Sequence, residues 1–139
     1  MSDLGTRAAV RDLYGAYARG DQARVALLLH EDIDWAIYSP VTVFPFAGAR
    51  RGRAAVLEAM AAIAAVYEME TYKVEQTIID GDRAAILADA GFKQRATGRL
   101  IRFRVAHFLR FNDGRLIEFR EFADSFDLVE QAIGHTVDV

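Results

Sequence analysis

The fold of this chain is decided by the stretch Ile101-Arg-Phe-Arg-Val-Ala-His107-Phe-Leu-Arg-Phe-Asn-Asp-Gly114-Arg-Leu-Ile-Glu-Phe-Arg-Glu121-Phe-Ala-Asp124. Apolar and polar residues alternate along both halves, which is typical of half-buried strands, and the Asn-Asp-Gly segment between them is typical of a hairpin turn. One face of the predicted hairpin is apolar except at His107 and Glu121. Because polar groups on an apolar face need partners, these residues are either a structural pair or the chemistry of a pocket.

The turn sets the register of this hairpin. A three-residue turn with Gly114 in the left-handed conformation pairs Phe111 with Arg115, and it separates apolar from polar residues better than a two-residue turn does. The predicted apolar face comprises Ile101, Phe103, Val105, His107, Leu109, Phe111, Ile117, Phe119, Glu121 and Ala123. In this register His107 lies opposite Phe119 and Glu121 lies opposite Val105. The imidazole and the carboxylate are then diagonal neighbours, roughly 7–8 Å apart at the backbone.

The rest of the chain predicts helices first and strands afterwards. The predicted elements are a helix that begins at Asp3 or Thr6 and ends at Gly20, a short helix capped by Asp21 and ended by His30, a strand over 33–38, a loop over 39–52, a helix after Gly52, strands over 71–79 and 83–96, and a terminal helix or tail over 127–133. This order predicts one α+β domain over residues 1–139, in which helices pack on one face of a curved antiparallel sheet around an internal pocket.

Composition excludes several classes of function. A net charge of −3 over 139 residues gives no electrostatic basis for binding nucleic acid. The chain has no cysteine, which excludes disulfides, thiolate metal sites and a cysteine nucleophile and fits a reducing compartment. No apolar N-terminal segment and no membrane span is visible. We therefore expect a cytoplasmic protein with no membrane partner. Because the three histidines do not have metal-site spacing, we also expect no metal and no cofactor.

The candidate catalytic residues are Glu121 and His107. A carboxylate on an apolar face suits proton transfer, with the imidazole as acid–base or hydrogen-bonding partner, and the alternative is a satisfied structural pair. The candidate substrate-binding residues are aromatic: Tyr14, Tyr17, Trp35, Tyr38, Phe103 and Phe119. Tyrosine hydroxyls among them could donate to a substrate carbonyl or enolate, and the alternative is that all six are core residues.

Five segments of the chain resemble a known group of proteins. They are Phe44-Pro-Phe-Ala-Gly48, Arg51-Gly-Arg-Ala-Ala-Val56, Ile79-Asp-Gly-Asp-Arg-Ala84, Thr97-Gly-Arg99, and Ala106-His-Phe through Arg120-Glu-Phe-Ala-Asp124. Over nearly its whole length the chain resembles the nuclear transport factor 2-like superfamily, in its SnoaL-like polyketide cyclase and ketosteroid isomerase branch. The resemblance implies a cone of a curved sheet and three helices, an acid–base residue in the pocket, a fairly apolar substrate and, as in many relatives, a homodimer.

Carried over residue by residue, the resemblance favours one member type. Ketosteroid isomerases carry their base where this chain reads Tyr38-Ser39-Pro40, which contains no carboxylate. Limonene epoxide hydrolases carry an Arg and an Asp where this chain has Ala88 and Ala90. Polyketide cyclases carry an acid on the last strand, where this chain has Glu121 in place of their Asp.

The resemblance therefore implies an isomerase, cyclase or dehydratase type of function. A small, mostly apolar molecule would bind in the cone, and Glu121 aided by His107 would move a proton next to a carbonyl. The alternative is a non-catalytic ligand-binding or dimerisation module, because this fold hosts enzymes, carriers and assembly modules alike.

Overall fold

The computed structural model describes all residues, 1–139. Its elements are α1 (Asp3–Ala18), α2 (Gln22–Leu28), β1 (Leu29–Ile37), β2 (Gly48–Arg51), α3 (Arg53–Val66), β3 (Tyr67–Asp80), β4 (Arg83–Gln94), β5 (Leu100–Asn112), β6 (Arg115–Ala123) and α4 (Ser125–Ile133). The predicted α+β cone is confirmed, with four helices against a curved sheet where three were expected. None of these helices is long and apolar enough to cross a membrane.

Side-chain caps fix where the helices begin. The Ser2 hydroxyl accepts a hydrogen bond from the backbone N–H of Gly5, so α1 is capped by Ser2 rather than by Asp3 or Thr6. The Asp21 carboxylate accepts from the N–H of Arg24 at the start of α2, as predicted. The C-terminal segment is a helix rather than a tail, because the Asp124 carboxylate caps its first turn and Gly134 ends it in the left-handed conformation.

The sheet is mixed rather than wholly antiparallel. Its strand order is β2-β1-β6-β5-β4-β3, and β1 runs parallel to β6. The predicted loop over 39–52 contains β2, which pairs antiparallel with β1. His30 lies in β1 rather than at the end of α2, because the chain leaves the helix at Leu29 and pairs there with Leu116. The N-terminal half of the chain thus inserts a strand beside the last strand of the meander.

The hairpin turn differs from its prediction. Asn112 pairs with Arg115, so the turn has two residues, Asp113 and Gly114, with φ of 50° and 77°. A two-residue turn with both φ angles positive matches the right-handed twist of the flanking strands. The side-chain segregation that favoured a three-residue turn is produced instead by an irregularity further along β6.

That irregularity places the two polar residues directly opposite each other. Phe111 pairs with Leu116 but Arg110 pairs with Glu118, which leaves Ile117 as the extra residue of a bulge. His107 therefore pairs with Glu121, and the predicted diagonal arrangement is wrong by two residues. Leu116, only 1% exposed, takes the core position that was predicted for Ile117.

The core lies between the helices and the inner face of the sheet. Its cluster includes Val10 and Leu13 of α1, Val56 of α3, and Ile86 and Val105 of the sheet. These residues share one surface because every second strand residue points to the same face and every third or fourth helix residue points to the sheet. The outer face of the sheet carries charged side chains and some exposed aromatic ones.

Substitutions at the bulge test the register. We expect Leu116→Ala to lower the free energy of unfolding by about 2–5 kcal/mol, because it empties a fully buried position. Ile117→Ala should cost about 1 kcal/mol or less, because this residue is only half-buried. Urea unfolding of both variants measures the difference, and the reverse order of the two losses would support the three-residue turn.

Candidate functional site

An apolar cavity lies between the helices and the inner face of the sheet. It has a volume of about 120 Å³, and 20 of its 23 lining residues are hydrophobic. The three others are Ser39, His107 and Glu121. The cavity thus contains one imidazole and one carboxylate in surroundings that hold little water.

Tyr14, His107 and Glu121 form a chain of hydrogen bonds along this cavity. The hydroxyl oxygen of Tyr14 lies 2.5 Å from Nδ1 of His107, and Nε2 of the same ring lies 2.8 Å from Oε1 of Glu121. His107 is only 3% exposed, so its ring is held from both sides with little access to water. The α1 helix supplies the tyrosine, and the β5–β6 hairpin supplies the other two. We call these three residues the relay.

The donors and acceptors of the relay follow from its surroundings. Burial, and then the negative charge of Glu121, raise the pKa of Tyr14 well above its usual value, so this hydroxyl stays protonated. A carboxylate can only accept hydrogen bonds, so the N–H at Nε2 of His107 donates a hydrogen bond to Glu121. The hydroxyl of Tyr14 donates a hydrogen bond to the unprotonated Nδ1 of the same ring. Oε1 of Glu121 is then occupied, whereas Oε2 has no hydrogen-bond partner within the chain.

Two further tyrosines lie beside the relay. The rings of Tyr17 and Tyr72 meet edge to face with centroids 5.1 Å apart, and both residues line the cavity. Burial, followed by nearby charge, raises the pKa of each hydroxyl above its usual value. Since neither hydroxyl is hydrogen-bonded within the chain, each is a neutral donor available to a ligand. Sequence reasoning missed Tyr72, although the alternation along β3 puts it on the same face as Val74.

Aromatic packing holds the wall behind the relay. Trp35 stacks on Phe119 with centroids 3.8 Å apart, and Phe119 also packs against the His107 ring at 4.6 Å. Phe103 lines the cavity and stacks on Phe92. The indole N–H of Trp35 is buried and has no acceptor within the chain. An unpaired buried donor costs free energy. Such donors are rare in folded proteins, and those that occur are often found at functional sites.

Tyr38 lies outside the cavity, contrary to its assignment as a substrate-binding residue. It is 50% exposed and packs against Phe122 on the outer face of the sheet, with centroids 4.8 Å apart. The reason is the alternation of side chains along an extended segment: Trp35 and Ile37 point inward, so Tyr38 points outward.

Comparison with known proteins identifies the family. The family model of the SnoaL-like domain matches residues 10–119, which is most of the chain. The chain belongs to the SnoaL-like family. The resemblance to the nuclear transport factor 2-like superfamily is thereby confirmed. Among curated proteins, none matches the chain.

Solved structures agree with this family and with the fold. A protein from Rhodopseudomonas palustris, provisionally described as an isomerase, is 40% identical, with 91% of this chain and 93% of that chain covered and a TM-score of 0.82. A nuclear transport factor 2-like protein of unknown function from Burkholderia pseudomallei is 22% identical over 95% and 98% of the two chains, with a TM-score of 0.83. An LEH-like epoxide hydrolase of Mycobacterium tuberculosis is 16% identical over 95% and 92%, with a TM-score of 0.77. The last two show the fold alone.

The cavity of this SnoaL-like domain carries its polar chemistry in few residues. Ala88 and Ala90 are fully buried and supply no side chain that could activate water. No cluster of three or more histidine, aspartate and glutamate side chains has the geometry of a metal site. The polar groups that line the cavity are therefore those of the relay, Ser39 and the tyrosine hydroxyls.

An alkaline titration tests the burial of the three tyrosines. The unfolded chain ionises its tyrosines near pH ~10, whereas the raised pKa values keep Tyr14, Tyr17 and Tyr72 neutral at that pH in the folded chain. Their contribution to stability is present below this pH and is lost as the pH rises above it. We expect three of the five tyrosines to gain phenolate absorbance only as circular dichroism reports unfolding.

Tyr72→Phe is the control for this titration, since it should lower the number of late-titrating tyrosines to two. Ionisation of all five hydroxyls in a chain that still has native circular dichroism would contradict the buried arrangement.

Proposed function

We propose that this SnoaL-like domain binds a small, mostly apolar carbonyl compound and moves a proton on a carbon next to the carbonyl group. The observation that carries the proposal is the state of Glu121. One of its carboxylate oxygens accepts a hydrogen bond from His107, and the other is free in a cavity lined mostly by hydrophobic residues. A carboxylate held in one orientation with an unpaired oxygen is suited to accept a proton from carbon.

The proposed reaction proceeds in two steps. In the first step, Oε2 of Glu121 accepts a proton from the carbon, and the electrons of the broken C–H bond move to the carbonyl oxygen, giving an enolate. In the second step, the enolate electrons form a new C–H bond with the proton that Glu121 returns, either at the same carbon or, where a C=C bond is conjugated with the enolate, at the far carbon of that C=C bond. Return to another carbon is an isomerisation, and no proton or electron is gained or lost overall.

The other polar groups have roles that follow from their positions. The hydroxyls of Tyr17 and Tyr72 are neutral donors that would stabilise the enolate oxygen, since they are held in a region that excludes water. His107 is a positioning residue: it orients the carboxylate, and Tyr14 orients His107 in turn. The family and the relative provisionally described as an isomerase support this type of chemistry.

A second candidate function is binding without catalysis. It is favoured by the relay itself, because Tyr14, His107 and Oε1 of Glu121 satisfy one another without any ligand. A buried hydrogen-bonded network of this kind can have a purely structural role, in which it specifies the packing of the core. The two functions differ in whether the free oxygen of Glu121 reacts.

Isotope exchange distinguishes the two functions without knowledge of the natural substrate. We expect the protein in D₂O to accelerate the exchange of the C2 protons of 1-indanone above the buffer rate, measured by proton NMR. Glu121→Gln should lower this acceleration roughly 10²- to 10⁴-fold, because the amide cannot accept the proton.

The matched control is Glu118→Gln, on the same strand. Its carboxylate lies near Arg83 and Arg110 rather than in the cavity, so exchange should stay at the wild-type rate. Acceleration that survives in Glu121→Gln, or that is absent from the wild type, would remove the catalytic function and leave binding.

We also propose that two copies associate through the outer face of the sheet. Tyr38, Phe108 and Phe122 form an aromatic patch there, each about half exposed, with successive centroids 4.8 and 5.9 Å apart. Charged neighbours on this face pair within the chain, as Arg104 does with Glu75. An exposed aromatic patch whose charged neighbours are paired within the chain suits a contact in which the same surface of two copies meets.

Light scattering during size-exclusion chromatography tests this association. We expect the wild type to have twice the mass of one chain and Phe108→Arg to have the mass of one chain, because a charge within the patch would be desolvated. Leu4→Arg, at an exposed position of α1, is the control and should remain dimeric. A monomeric wild type would refute the proposal.

A further inference from the structure

A second apolar space adjoins the cavity. It is a groove of about 470 Å³ between the α1–α2 region and α3, and 11 of its 15 lining residues are hydrophobic. The remaining four lining residues are Gly20, Asp21, Gln22 and Arg95. Of the residues that line it, only Tyr17 was expected to bind substrate, and the relay does not extend into the groove.

The groove and the cavity are separated by a shared wall. Five side chains line both spaces: Tyr17, Val25, Met60, Ile63 and Tyr67. They come from α1, α2, α3 and the first residue of β3. Met60 is unbranched and adapts its shape easily, so part of this wall can move without disturbing the backbone. A ligand that passes between these side chains therefore reaches both spaces.

The cavity beside the relay is by itself smaller than an ordinary ligand pocket. Pockets that enclose small ligands usually measure about 300–1,000 Å³, whereas the cavity around the relay measures about 120 Å³. The cavity accommodates little more than one ring. A larger molecule that presents a carbon to Glu121 extends beyond the cavity, and the groove is the apolar space that adjoins it across the shared wall.

We propose that the ligand of this protein is an elongated carbonyl compound with an apolar tail. Its carbonyl end lies in the cavity beside Glu121, and its tail passes Met60 and lies in the groove against α3. This inference rests on the proposed function for the placement of the carbonyl end. It adds a subsite for the tail and makes the groove a determinant of substrate length.

A pair of ketones of different length tests this subsite. The probes are 1-indanone and 5-hexyl-1-indanone, and isothermal titration calorimetry measures their dissociation constants. Each methylene that becomes buried is worth roughly fourfold in affinity, so two buried methylenes give about tenfold or more. We expect 5-hexyl-1-indanone to bind wild-type protein at least about tenfold more tightly than 1-indanone.

Two neighbouring substitutions on α3 distinguish binding of the hexyl chain in the groove from non-specific binding to apolar surface. Ala61 lines the groove and is exposed, so Ala61→Trp fills the groove without disturbing the core. It should remove the gain from the hexyl chain and leave the affinity for 1-indanone unchanged. Ala62→Trp is the control, because Ala62 is exposed but lines neither space, and both affinities should remain those of the wild type.

The outcomes separate this inference from the proposed function. Equal affinity for both ketones, including no binding of either, or a chain-length gain that survives Ala61→Trp, would overturn the groove subsite. A chain-length gain that Ala61→Trp removes, without isotope exchange, would support the subsite and refute the catalysis. Isotope exchange without a chain-length gain would support the catalysis and refute the subsite.

Discussion

The structure of the site depends on the direct pairing of His107 with Glu121 across the β5–β6 hairpin. The pairing requires a two-residue turn and, beyond it, a bulge at Ile117. Without the bulge, the register set by the two-residue turn would place Arg120 opposite His107 and would turn Glu121 to the other face of the sheet. The bulge therefore brings the imidazole and the carboxylate together on the inner face of the sheet.

The surrounding cavity places this polar pair in an apolar environment. Stacking of Trp35 on Phe119, and of Phe119 against His107, closes the apolar wall around the relay. Burial raises the pKa values of three tyrosines, which keeps their hydroxyls neutral and able to donate. One of them, Tyr14, is bonded to His107, and the other two face the cavity unbonded. The same desolvation therefore maintains both the structure of the relay and the donors that a ligand would meet.

Side-chain alternation made part of the candidate site predictable. It placed His107, Glu121, Phe103 and Phe119 on one face of the hairpin, and all four line the cavity. The sequence prediction also placed Tyr38 in the site, but Tyr38 lies on the outer face, because side chains alternate and Trp35 and Ile37 point inward. It also missed Tyr72, because two irregularities interrupt the alternation of β3. Predictions made from local pattern were thus least accurate where the strand is irregular or has ended.

By itself, the sequence determined the α+β class, most helix and strand positions, the resemblance to the SnoaL-like family and the pair of polar residues in an apolar face. These depend on local periodicity and on motifs, which neighbouring residues specify. Only the tertiary structure decided the parallel pairing of β1 with β6, the register beyond the turn and the bond from Tyr14 to His107, which are 93 residues apart. Those features arise when distant segments bury their surfaces together, and the pattern of one segment does not carry that information.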